Sequence, residues 1–152
     1  MAHRFHSVQR IPGLLPEAWA FFSNPRNLPR ITPPWLSFEV LSEPPEKMYP
    51  GLLIEYRVRP LWGVPVGWMT EITHLVEPSL FVDEQRFGPY RLWHHQHRFR
   101  AIEGGVEMED EVRYLLPGGV FGRAAQRFLV RDRLEEIFAF RREAVERIFG
   151  KM

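Results

Sequence analysis

Three of the chain's six histidines fall within four positions, His94, His95 and His97, in the stretch GPYRLWHHQHRF at 88–99. Imidazole titrates near neutral pH, ligates metal ions and both donates and accepts hydrogen bonds. The cluster therefore suits a metal site, an acid–base site or a buried hydrogen-bond network. In an extended chain side chains alternate, so Trp93, His95, His97 and Phe99 share one face. Leu92, His94, Gln96, Arg98 and Arg100 form the other, mostly polar face. Trp93 and Phe99 mark the buried side. Two histidines face inward and His94 faces out.

The next segment repeats the pattern. Val106, Met108, Asp110, Val112, Tyr114 and Leu116 share one face, against Glu107, Glu109, Glu111 and Arg113. Asp110 thus lies on the apolar side, where an unpartnered carboxylate is costly. A two-residue turn at Glu103-Gly104 sets His97 opposite Asp110, whereas a Gly104-Gly105 turn makes them diagonal neighbours. Arg141 follows Phe138 by three and precedes Val145 by four, which puts it on the apolar stripe of a C-terminal helix. There it can anchor Asp110 and leave the histidines to meet a ligand.

Two histidines at alternate strand positions can ligate zinc with Asp110 as a third donor, yet no dedicated metal spacing appears elsewhere. No metal and no cofactor are expected. Histidine beside a carboxylate suits proton exchange near neutral pH, and a network tying helix to sheet needs the same residues. Binding supported by such a network is favoured over catalysis. Asp83, Glu84 and Gln85 sit on a short strand whose inward parity is open. Tyr56, Trp68 and Phe138 are further candidates for a cavity wall.

The elements that must position these groups follow from local pattern. A strand at 3–11 stops at Pro12-Gly13, and a short helix runs through LLPEAWAFFSN to Asn24-Pro25. Prolines restrict 25–34 to a turn of helix. Strands are expected at 36–41, 52–59, 66–76, 80–86, 91–100 and 105–116, followed by a helix from about 120 to 149. At 1.5 Å per residue that helix measures about 45 Å. Its stripe is Val130, Leu134, Ile137, Phe138, Val145 and Ile148. The order specifies an α+β domain in which a curved antiparallel sheet of six to seven strands wraps a terminal helix.

Composition excludes several function classes. The 152 residues suit a single domain with a sizeable core. Aromatics make up 14% of the chain, with five Trp and twelve Phe, enough rings to line an apolar pocket as well as fill a core. A formal charge of +1 gives no pull towards nucleic acid. Seven Arg against five acids between 123 and 147 describe a solvated helix face. With no Cys, thiolate chemistry and disulfides are excluded. The N-terminal stretch lacks a signal-peptide core and no run is long enough to span a bilayer, so a cytoplasmic protein is expected. The apolar hairpin tip PLWGVPVG at 60–67 offers a shield for a cavity mouth or a transient contact with a membrane or an enzyme.

The element order, together with RFGPYRLWHHQHRF, DEVRYLLPGG, RLEEIFAFRR and PEAWAFFSNPRNL, resembles the START-related SRPBCC superfamily, in particular its small bacterial polyketide cyclase/dehydrase-like members. The resemblance spans nearly the whole chain and is strongest from Phe81 to Arg142. It implies a helix-grip fold with a deep cavity between sheet and long helix, holding an apolar or amphipathic small molecule such as a lipid, a polyketide or an isoprenoid-like compound. Tyr56, Trp68, Trp93, His95, His97, Asp110, Tyr114, Phe138 and Arg141 are the expected lining. If the protein is an enzyme, the expectation is a cofactor-free cyclase or dehydrase in which His95 or His97 is the acid–base group and Asp110 orients it. An accessory protein docking on an enzyme or membrane is the third reading.

Overall fold

The structure, a computed structural model, describes residues 1–60 and 63–152. Seven strands form one antiparallel sheet: β1 (His3–Pro12), β2 (Glu39–Val40), β3 (Leu53–Val58), β4 (Val66–Val76), β5 (Leu80–Phe87), β6 (Leu92–Ile102) and β7 (Gly105–Leu115). Their spatial order is β1-β7-β6-β5-β4-β3-β2, so every neighbour except the β1–β7 pair is also a sequence neighbour. The short helix α1 (Leu15–Phe22) carries proline in its first turn, where no intrahelical N–H is lost. Two 3₁₀ segments follow, Pro25–Ile31 and Pro34–Leu36; Pro29 inside the first, and Pro33-Pro34 after it, remove the amide donors that a longer α-helix would need. The strand expected at 36–41 shrinks to the two residues of β2.

The C-terminal helix is not uniform. An α-helical turn, α2 (Val120–Ala125), passes through a π-helical stretch, Gln126–Val130, into α3 (Arg131–Phe149). The buried residues of α3 are Leu134, Ala144 and Val145. Ile148, expected on the stripe, is 36% exposed. Phe149 packs in its place against Phe21 and Phe22. The helix therefore grips the sheet at both ends: Val145 joins a core with Ile11, Trp19, Phe22 and Phe99. Leu134 joins a second cluster with Trp93, Val112 and Tyr114.

Two features of the sheet decide which side chains face the helix. The β6–β7 hairpin turns at Glu103-Gly104, with Gly104 at φ +78°, and pairs His97 with Asp110. On β4 the register shifts twice, between Met69 and Thr70 and between Ile72 and His74. The second shift switches the inward set from Thr70 and Ile72, both buried, to Leu75, which packs on the core.

Candidate functional site

β6 and β7 bury their apolar parity. Trp93, His95, His97 and Phe99 are each under 9% exposed, as are Met108, Asp110, Val112 and Tyr114. His94, on the opposite face, lies 3.7 Å from Glu84 at the surface. β5 supplies a residue whose side was left open by the sequence: Asp83 pairs directly with His95 across the β5–β6 ladder and so shares its face.

The two inward imidazoles stack with ring centroids 3.6 Å apart, and Phe81 stacks on the far side of His97 at 4.0 Å. Each ring spans the gap between two carboxylates. His95 Nε2 donates to Asp110 Oδ1 at 2.8 Å, and His95 Nδ1 lies 3.8 Å from Asp83 Oδ2. His97 is turned the other way: its Nε2 donates to Asp83 Oδ2 at 2.6 Å, and its Nδ1 lies 3.2 Å from Asp110 Oδ1. That last contact is too poorly aligned for a hydrogen bond, so His97 Nδ1 is one of two buried side-chain polar atoms left without one among the described residues; the other is Trp68 Nε1. Arg141 reaches Asp110 Oδ1 at 3.7 Å from α3, its guanidinium lying between the rings of Phe22 and Phe138.

Burial and pairing pull these groups in opposite directions. Desolvation pushes Asp110 up, but the Arg141 charge and the two imidazoles hold its carboxyl well below the usual range. Asp83 is likewise raised by burial and lowered further by its bond from His97, the imidazole charges and the Trp93 indole. Desolvation and the neighbouring His97 charge depress His95. His97 also loses solvation, but Asp110 and Asp83 outweigh that and raise it. The carboxylates thus favour the charged form at His97 more than at His95. One guanidinium and two imidazoles set against two carboxylates make so dense a buried cluster tolerable.

The cluster forms one wall of a cavity of about 310 Å³. Tyr56 and Val58 from β3, Trp68 and Thr70 from β4, Asp83 from β5 and Trp93, His95 and His97 from β6 face it. Leu36 and Phe38 close one side, and Leu134, Ile137, Phe138 and Arg141 from α3 roof it. Of the expected lining, Asp110 and Tyr114 do not border this space. Asp110 stands behind the two imidazoles, and Tyr114 is packed in the cluster of Trp93, Val112 and Leu134. Burial of Tyr56, with the Asp83 charge, raises its hydroxyl and keeps it neutral, an effect that the neighbouring Thr70 hydroxyl offsets in part. Thr70, Tyr90 and the Trp35–Phe38 stretch border the cavity although none was an expected lining residue; part of 36–41, expected as strand, lies in a 3₁₀ turn instead.

Asp83, His95 and His97 also present one ligand-type atom each within 4.8 Å of one another. Of the 60–67 hairpin tip, residues 61 and 62 lie outside the described residues; Pro60 borders the cavity. Among the described residues, no helix is long and apolar enough to cross a membrane.

Solved structures share this architecture at low identity. Protein Ms6760 from Mycobacterium smegmatis matches with a TM-score of 0.69 at 18% identity, over 95% of this chain and 89% of that one. Ginseng major latex-like protein 151 from Panax ginseng gives 0.70 at 10% identity, over 97% of each chain. The nucleoside-diphosphate sugar epimerase from Corynebacterium glutamicum gives 0.65 at 18% identity, over 93% of this chain but 28% of that longer one. These likenesses establish the fold alone. No curated protein matches the sequence. Residues 12–139 match the family described as polyketide cyclase / dehydrase and lipid transport. With its helix-grip fold and a match over most of its length, the chain belongs to that family.

Proposed function

We propose that the protein binds an apolar or amphipathic small molecule, of lipid, polyketide or isoprenoid-like character, in the cavity between sheet and α3. The observation that carries this reading is the cavity itself: about 310 Å³, walled mainly by aromatic and aliphatic side chains, with Thr70, Asp83, His95 and His97 on its sheet wall. Small-molecule sites span roughly 300–1,000 Å³. A space at the lower end suits one short acyl chain or a few fused rings better than a two-tailed lipid. Thr70, Asp83, His95 and His97 would meet the guest's oxygen atoms, and Tyr56, Trp68, Trp93 and Phe138 its apolar body. The family match supports a ligand-binding domain of this kind. A cytoplasmic setting and indifference to nucleic acid are part of the proposal.

The test is titration of ligand-free protein with an environment-sensitive dye, followed by competition with fatty acids and polycyclic aromatics. Saturable uptake and displacement are expected. Absence of both would favour an accessory role instead.

A second reading, a cofactor-free cyclase or dehydrase, is favoured by one observation: two imidazoles, each bonded to a buried carboxylate, face the same cavity. His95, its Nε2–H held by Asp110, would take a proton at Nδ1 from carbon beside a ketone. His97 would shift its Nε2–H from Asp83 to the developing oxyanion. Turnover of a model polyketone by wild-type protein, lost in His95→Gln, separates this from binding alone.

A further inference from the structure

We propose that Asp83, His95 and His97 form a binding site for a divalent transition metal ion, with zinc the first candidate. One carboxylate and two imidazoles are donors that zinc accepts readily, and their ligand atoms already lie within 4.8 Å of one another. Four ligands at zinc's bond lengths stand roughly 3.4 Å apart. The His95 Nδ1 to Asp83 Oδ2 separation of 3.8 Å is close to that. The His97 Nε2 to Asp83 Oδ2 contact of 2.6 Å opens by somewhat under about 1 Å when a metal replaces the shared proton.

The surroundings carry the assignment further than the donors alone. With Nε2 turned to Asp110 at 2.8 Å, His95 aims Nδ1 at the Asp83 carboxylate, 3.8 Å away and too far for a direct hydrogen bond. The second observation is the orphaned Nδ1 of His97, a residue only 6% exposed. Ligation through Nε2 obliges Nδ1 to carry hydrogen, and Asp110 Oδ1 stands 3.2 Å away to accept it after a small ring rotation. Asp110 would then orient both metal-binding imidazoles, the carboxylate–histidine–metal arrangement, with Arg141 behind it. All three donors border the cavity while Asp110 does not, so the fourth position would open to the interior space. The inference needs only the cluster and stands whether or not the cavity takes an apolar guest.

The experiment is calorimetric titration of Zn²⁺ into tag-free, chelator-stripped protein near pH 7.5, with Co²⁺ absorption spectra as a second readout. One saturable equivalent is expected, with a visible Co²⁺ band of low-coordinate nitrogen–oxygen character. Asp83→Asn, His95→Gln and His97→Gln should each weaken uptake at least ~10-fold, and Asp110→Asn about 10- to 100-fold. His94→Gln should leave it unchanged. No saturable uptake by the wild-type protein would overturn the proposal, as would uptake kept intact in both Asp83→Asn and His95→Gln. If a variant fails to fold, the wild-type titration and Co²⁺ spectrum still decide.

Discussion

His97 is paired in the β6–β7 ladder with Asp110, yet its short hydrogen bond, 2.6 Å, runs to Asp83 on the opposite neighbouring strand. His95, paired with Asp83 in the β5–β6 ladder, does the reverse and bonds Asp110 at 2.8 Å. Each imidazole thus turns away from its ladder partner. The crossing locks three strands together through side chains, and Arg141 ties α3 to the same knot.

Asp110 is the pivot of that knot, so its removal should be costly. Asp110→Ala strands a buried guanidinium and two imidazoles, at about 3–5 kcal/mol. For a domain of this size the melting temperature should fall by roughly 10 °C. Thermal melts of wild type and variant check this; a loss within about 0.5 kcal/mol, ordinary for a surface change, contradicts the anchoring role.

The facing of the histidines is tested by ligand binding. His97→Gln removes a ring that borders the cavity, and His94→Gln alters one near Glu84 outside. Dye affinity should change several-fold in the first and stay within error in the second. Equal effects at the two positions would contradict the assignment of sides.

Filling the cavity should abolish binding without unfolding the protein. Ile137 borders the space from α3 and is only partly buried, so Ile137→Trp can place its ring there with modest strain, about 1–3 kcal/mol. Dye binding should fall at least tenfold while the far-ultraviolet circular dichroism is unchanged. Undiminished binding would place the dye elsewhere.

Much of this site is legible in the chain itself, for a definite reason. The inward parity of β6 and β7 follows from period-two alternation, and the short Glu103-Gly104 turn transmits one strand's facing to the next. Asp83 was not legible. Its strand follows β4, whose two register shifts break the alternation, and precedes a connection at 88–91 that bears no standard hairpin signature. The roof was legible in part: Leu134, Phe138 and Arg141 follow from helical spacing, but the π-helical stretch at Gln126–Val130 has no signature in that pattern, and the downstream face ends on Phe149 rather than Ile148. The wall at Trp35–Phe38 depends on 3₁₀ turns whose side chains follow neither period.

Native mass spectrometry of the freshly purified protein tests the central claim, an internal guest site, most directly. A one-to-one adduct of a small apolar molecule, present in the folded protein and lost on denaturation, is the predicted result, whether carried from the cell or formed on incubation with fatty acids and polycyclic aromatics. A spectrum showing only the bare polypeptide mass after both treatments would contradict it.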